Sequence, residues 1–315
     1  MHDRECEVAR ITYVFVVGSP RSGTTILSEV LGRHPDVADF YEPYYIWDHR
    51  IGSGEDDVRT AAMADAATCA FVRREFELFA KKSRKSVVVE KSPETCFRVP
   101  YVHSVFPEAK WIHIIRDGRD SVESIYRETL KRKRMVQQRD LKEYIATVRE
   151  TMRLTPFWRN RLQTMLFELR GTASLDPRRY FNKAKWQGGV GWGPRFPGWR
   201  QAQRQLSPIG FAAMQWRTSI EALIQGLNDV PREQRETCRY EDFAARPEAE
   251  LKRLCEFIGI PPVQGLARDI TPQSVGKWQK FFTTEQLAEL GPVLGELMLQ
   301  LHQSADHSWY PHSST

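Results

Sequence analysis

The 315-residue sequence predicts an α/β fold: an open, largely parallel β-sheet flanked by helices, with a helical insertion forming a lid. Three observations carry that expectation. Short β-branched runs alternate with segments of helical periodicity. A glycine-containing turn joins the first such run to the first helix. Between about residues 128 and 230 the alternation gives way to helical patterning alone.

Taken in order, ITYVFVV (11–17) is β-branched and aromatic, stops at Gly18, and is followed by Ile26, Leu27, Val30 and Leu31 at helical spacing. Asp36 begins a second short strand, and SVVVEKSP supplies another βα unit. KWIHII (110–115) runs into RDGRDSVESIYRE, whose Val122, Ile125 and Tyr126 share one helix face. Thr237 to Tyr240 reads as a further strand. The next helix opens at Pro247 and closes at Gly259, before Pro261 and Pro262. In the insertion, Leu141–Leu169 and Gln201–Leu227 read as helices joined by QGGVGWGPRFPGW. There is no internal repeat and no Ser/Gly linker, so residues 1–315 are expected to form one domain with an embedded insertion.

Composition narrows the function classes. With 41% hydrophobic and 11% aromatic residues the chain can bury a sizeable core, and no apolar run approaches the roughly eighteen residues of a membrane span. The run Tyr13–Val17 follows a charged leader with Asp3, Arg4, Glu5 and Arg10, which is not a secretory pattern, so a cytoplasmic location is expected. The five cysteines are scattered, without a Cys-x-x-Cys pair or a zinc-type His cluster, so they are read as reduced and no metal is expected. Net charge is +6, yet residues 126–205 hold 19 Lys/Arg against 6 Asp/Glu. Such a stretch is either a solvated helical surface or a contact for an anionic partner, peripheral membrane contact included.

The segment GSPRSGTT, Gly18 to Thr25, lies where a strand feeds a helix, the position of a phosphate-cradling turn, which makes the expected sheet P-loop-like. Backbone amides of Ser19, Pro20's neighbours, Ser22 and Gly23, with the Thr24 and Thr25 hydroxyls, suit a terminal phosphate. The residue after Gly23 is Thr24 where a nucleoside-triphosphatase has lysine, and the cation sits instead at Arg21. That departure argues against a P-loop kinase or NTPase. A second anion site is read from Arg116, at the end of a strand, and Ser124, about two turns into the next helix. Two phosphate sites at neighbouring strand ends suggest a nucleotide phosphorylated at two places.

Together these segments resemble the sulfotransferases that use 3′-phosphoadenosine 5′-phosphosulfate (PAPS). GSPRSGTT resembles their 5′-phosphosulfate loop and Arg116 with Ser124 their 3′-phosphate pair. EKSPE (90–94) is similar to a segment of the carbohydrate and heparan branches, and RYEDF (239–243) to one of the carbohydrate and protein-tyrosine branches. SVGKWQKFFT (274–283) resembles the late loop that closes over the nucleotide. The tyrosyl-protein branch carries another Arg twelve residues after the first, where this chain has Glu128, and the Lys-Thr-His segment of the phenol and steroid branch is missing. The resemblance implies PAPS as co-substrate, PAP (3′-phosphoadenosine 5′-phosphate) as product, and Ser274, Gly276, Lys277 and Trp278 closing on the adenosine, with Lys277 or Lys280 at the 3′-phosphate and Tyr240 beside the nucleotide.

Sulfuryl transfer needs a base, cations over the equatorial oxygens, and positioning, as phosphoryl transfer does. Glu42 is the candidate base, with Arg21 and Lys91 stabilising developing charge. YEPYYIWD places Tyr44 beside the acceptor and resembles the carbohydrate branch, so a glycan, glycolipid or small-molecule hydroxyl is the expected acceptor, ahead of a phenolic metabolite and protein tyrosine. The insertion, through Trp192 and Arg195, is expected to form the acceptor site, separate from the nucleotide site, with glycine hinges. KRKR (131–134) and the lid tryptophans also fit a nucleic-acid or membrane binder, but nucleic acid is not the expected partner.

Overall fold

The computed structural model describes residues 11–49, 55–138 and 191–303, with six isolated positions between 138 and 191. The predicted helix Leu141–Leu169 and the start of the lid loop therefore lie largely outside the described residues. Five strands form one sheet: β1 (Thr12–Val17), β2 (Val37–Tyr41), β3 (Val87–Lys91), β4 (Lys110–Ile115) and β5 (Arg235–Arg239). Their order is β2-β3-β1-β4-β5, and every pairing is parallel. A parallel sheet needs apolar residues on both faces, which is why β1 and β3 read as continuous valine-rich runs rather than alternating ones.

The two faces build two cores. Tyr13, Phe15, Phe40, Val88 and Trp111 point to one side, against α3 (Ala66–Ser83), α4 (Val99–Val105), α7 (Pro208–Asn228) and α10 (Thr284–Gln303). Val14, Val16, Val89, Ile112 and Ile114 point to the other, against α1 (Thr24–Gly32), α8 (Tyr240–Ala245) and α9 (Pro247–Ile258). Rings interlock on the first side: Phe40 stacks on Phe79 at 3.9 Å and Phe15 lies 5.0 Å from Trp111. The remaining helices are α2 (Tyr44–Trp47), α5 (Gly118–Gln138) and α6 (Trp199–Gln205).

Local chemistry explains the boundaries. Asp65 caps α3 by accepting from the Thr68 amide at 2.7 Å, and Arg84 ends that helix in the left-handed conformation. The predicted single helix Gln201–Leu227 is two, because Ser207 caps a new helix through the Gly210 amide and Pro208 occupies its first turn. The strand predicted over Thr237 to Tyr240 instead ends at Arg239, and Tyr240 starts α8 with Glu241 and Asp242 in the first turn. The helix opened by Pro247 closes at Gly259, φ 89°, as its sequence predicts. No helix among the described residues is long and apolar enough to cross a membrane.

A buried ion network joins the described end of the lid loop to the body. Asp57, 2% exposed, accepts from the Arg195 amide at 2.7 Å and from its guanidinium at 3.0 Å. The Asp57 amide donates back to the Arg195 carbonyl at 3.0 Å. Arg98 donates to the Asp57 carbonyl at 3.2 Å and pairs with Asp48 at 3.1 Å, and the Trp199 indole donates to the Glu55 carbonyl. Removing one partner strands buried charge. Asp57→Ala is expected to lower stability by about 3–5 kcal/mol, read as a lower urea midpoint with unchanged slope.

Candidate active site

Each strand delivers one piece of the site at its carboxyl end, the edge at which open α/β sheets bind ligands. β1 leads to Gly18, β2 to Glu42, β4 to Arg116 and β5 to Tyr240, while Lys91 is the last residue of β3. The chain leaves β1 toward β2 and β3 but leaves β4 toward β5, so the crevice between β1 and β4 is the switch point of the topology.

The loop after β1 is shaped by close approach. A side chain at Gly18 would sit 2.6 Å from the Ile114 carbonyl oxygen, and one at Gly23 would sit 2.5 Å from the Tyr240 ring. Gly23 has φ 103° and precedes α1, whose amides then face the loop. Arg21 is also left-handed, φ 66°, and is exposed. Ser19 and Ser22 are buried, and neither hydroxyl has a protein partner. Thr24 and Thr25 are half-buried at the first turn of α1.

The two predicted phosphate elements are neighbours. The Arg21 Nε donates to the Ser124 Oγ at 2.8 Å, and Arg116 Nη1 donates to the Arg21 carbonyl at 2.9 Å. Arg116 is 7% exposed, lies 4.7 Å from the Tyr240 ring centroid, and donates through Nη2 to the Ser274 carbonyl; its Nε has no protein partner. Gly276, φ 73°, opens the turn Lys277–Lys280, in which both lysines are exposed and Trp278 is half-buried. Tyr240 thus works from a helix start, packed on Gly23 and Arg116, rather than from a strand.

Glu42 sits on the other side of β1, beyond β3. Its Oε1 pairs with Lys91 Nζ, and its Oε2 accepts from the Tyr44 hydroxyl at 2.9 Å. Lys91 is 3% exposed and lies 5.1 Å from the Tyr41 ring centroid. Burial and the neighbouring Glu42 charge hold the Tyr41 and Tyr44 phenols well above their ordinary range, so both remain donors. Glu42 adopts φ 42°, uncommon for a residue with a side chain and often associated with function. Lys91 and Glu42 are thus paired across the ends of β3 and β2.

The lid loop departs from expectation. The Trp192 ring lies 5.6 Å from the Arg21 guanidinium and Gly193 packs near Pro20, so this end of the insertion leans on the phosphate loop itself. Arg195 is 7% exposed and engaged by Asp57, which makes it an anchor of the loop rather than a group presented to an acceptor. Sequence reading passed over Asp120, which holds the late loop, and Glu241, which accepts from the Asp117 amide at 2.9 Å. Asp120's signal was only an acidic residue in a helix first turn, whereas Glu241 lies within the RYEDF segment, which pointed to no contact with Asp117.

Behind the site, Glu90 is 1% exposed, and burial pushes its carboxyl up to about 7 against hydrogen bonds from Ser92 and the Trp47 indole. A carboxyl raised in the folded state costs stability as it ionises, so stability is retained below about 4.5 and falls as pH climbs to about 7. Asp39, raised by burial to about 6, adds to the same slope. Glu90→Gln keeps an acceptor for both donors and is expected to flatten most of that fall, measured by denaturation between pH 4.5 and 7.5.

Comparison with known proteins bears on this geometry. The sulfotransferase family profile matches residues 14–181, more than half of the chain. The chain is 28% identical over 124 residues to the nodulation protein NoeE of Sinorhizobium fredii, covering 33% of this chain and 28% of that one. It is 31% identical over 147 residues to protein-tyrosine sulfotransferase 1 of Danio rerio, covering 42% and 39%. The matches thus span about a third of those relatives' length. Among solved structures, the sulfotransferase domain from the curacin biosynthetic pathway aligns over 84% of this chain and 80% of that one, at 16% identity and a TM-score of 0.48. A mouse sulfotransferase complexed with PAP aligns over 95% and 86%, at 16% identity and a TM-score of 0.45. With its strand-end loop, basic crevice and paired Glu42 and Lys91 covered in sequence by that profile, the chain belongs to the sulfotransferase family.

Proposed function

We propose that the protein transfers the sulfuryl group of PAPS to a hydroxyl of a glycan, glycolipid or small-molecule acceptor and releases PAP. The observation that carries this reading is the meeting of two anion-binding elements in one crevice, joined by the Arg21–Ser124 hydrogen bond of 2.8 Å. The residues fit a nucleotide bearing two phosphates. Ser19 and Ser22 offer buried hydroxyls without protein partners, and Arg116 offers a buried Nε in the same condition. Thr24, Thr25 and the start of α1 complete the 5′ side. Ser124 and Arg116 serve the 3′ side, and Gly276, Lys277 and Trp278 flank it.

PAPS supplies an activated sulfuryl group on a phosphate leaving group. Glu42 takes the acceptor hydroxyl's proton as the acceptor oxygen bonds to sulfur, while the old sulfur–oxygen bond breaks and its electron pair stays on the phosphate. Lys91 pairs with Glu42 in the resting site and has further N–H donors for the sulfonate oxygens; Arg21 supplies a second cation. Tyr44 fixes the carboxylate's orientation from its other oxygen. Trp192, beside Arg21, is an aromatic surface for a ring-shaped acceptor near the transferred group. Protein tyrosine is the second reading of the acceptor, favoured by the relatives named as protein-tyrosine sulfotransferases.

PAP is expected to raise thermal stability more than adenosine 5′-phosphate does, because only PAP meets both anion elements. Ser124→Ala and Arg116→Ala should each narrow that gap, by up to about 1.5–3 kcal/mol for the charged contact; an undiminished gap in both would remove them from the 3′-phosphate. Glu42→Gln is expected to keep PAP affinity while turnover falls about 10²- to 10⁴-fold. Product mass after incubation with PAPS and a panel of glycan, glycolipid, phenol and tyrosyl-peptide acceptors identifies the acceptor class.

A further inference from the structure

Asp120, in the first turn of α5, is 1% exposed and spends both carboxylate oxygens on one distant segment. Oδ2 accepts from the Gly276 amide at 2.7 Å and Oδ1 from the Trp278 amide at 3.0 Å. Its neighbours Arg116 and Arg119 act on the same segment. The Arg119 guanidinium lies 3.9 Å from the Trp278 ring centroid, and Arg116 Nη2 donates to the Ser274 carbonyl. Arg116 also faces Asp120 at 4.0 Å, an opposing charge in the same buried setting.

The segment needs such a hold. Residues 272–280 form two short 3₁₀ turns, Pro272–Ser274 and Lys277–Lys280, with no buried side chain in either. Its hydrophobic contact comes through half-buried Trp278. A segment with little apolar burial belongs to the low-stability end of a protein, and what orders it is hydrogen bonding. Bonds from backbone amides to a carboxylate are charge-assisted, and burial removes water as a competitor.

We propose that Asp120 is a positioning residue: it latches residues 274–278 to α5 and thereby sets the affinity of the site for its nucleotide. The latch itself follows from the contacts above; its consequence for affinity rests on the reading of this segment as part of the PAPS site. Asp120 touches neither cosubstrate nor acceptor in this assignment. It acts through the amides of Gly276 and Trp278 and through the set of Arg116.

Two measurements on the intact protein separate these parts. The first, without nucleotide, is backbone hydrogen exchange over residues 272–281, with trypsin cleavage after the exposed Lys277 and Lys280 as a companion. Asp120→Asn, which keeps one acceptor oxygen and loses the charge, should speed exchange at Gly276 and Trp278 by about tenfold, the scale of one charge-assisted bond. Asp120→Ala should speed it further, and Asp120→Glu should restore part of the protection. Wild-type exchange and cleavage in the Asn variant overturn the latch, and that variant settles the matter if the Ala variant does not fold. The second is PAP affinity, with the KM for PAPS against kcat. The Asn variant should bind PAP about tenfold more weakly, and its KM should rise by more than its kcat falls. A loosened segment with unchanged PAP affinity overturns the link to the nucleotide. Failure of the wild-type protein to bind PAP at all overturns the functional reading, while the exchange arm still decides the latch.

Discussion

The guanidinium of Arg116 gathers the structure around one buried charge. It leaves the end of β4, holds the Arg21 carbonyl of the loop after β1 and the Ser274 carbonyl of the late segment, and faces the Tyr240 ring from the start of α8. A cation this enclosed must be surrounded by oxygen atoms, aromatic faces or an opposing charge, since desolvation otherwise expels or neutralises it. Segments from four parts of the sequence supply those groups, with Asp120 at 4.0 Å as the counter-charge. The same constraint leaves one nitrogen, Nε, without a protein acceptor at the crevice between β1 and β4.

On the other side of β1 a second charge balance is built by Glu42 and Lys91. The register of β2 on β3 pairs Tyr41 with Lys91, so the residue after β2 arrives beside the end of β3. The Glu42 amide donates to the Lys91 carbonyl at 3.2 Å, and the turn that this requires puts Glu42 at φ 42° before Pro43. The backbone strain is held by the ion pair and by Tyr44. A carboxylate and an ammonium thus stand at the ends of adjacent strands, and β3 in turn pairs with β1, the strand that leads into the loop at Gly18.

The described part of the lid loop is a fixed wall. The Asp57 amide donates to the Arg195 carbonyl while the Asp57 carboxylate accepts from the Arg195 amide and guanidinium, Trp199 is tied to Glu55, and Gln215 donates to the Trp192 and Pro194 carbonyls at 2.8 and 2.7 Å. Within it, the left-handed conformations of Gly193 and Gly198 shape the path of the loop. Trp192 is held against Arg21, so this wall stands directly on the loop after β1.

The sequence by itself determined the sheet and the positions of its loops. Valine-rich runs in β1 and β3 suit strands buried on both faces, Gly18 and Gly23 mark the turn between strand and helix, and Pro247 with Gly259 bounds a helix through local backbone chemistry. The candidate residues Arg21, Glu42, Lys91, Arg116 and Ser124 were legible because each lies at a strand end or in the helix that follows one, where the chemistry of the fold resides. Tertiary structure alone decided which of them meet. That Lys91 pairs with Glu42 depends on the register of β2 on β3, and that Arg195 turns inward depends on Asp57, 138 residues away. Asp120 was invisible for the same reason. An acidic residue in a first helical turn reads as a response to the helix dipole, and only the return of the chain 156 residues later brings the two amides that claim it. Local propensity and spacing act over a few residues, whereas the pairing of buried charges is settled when the strands are brought side by side.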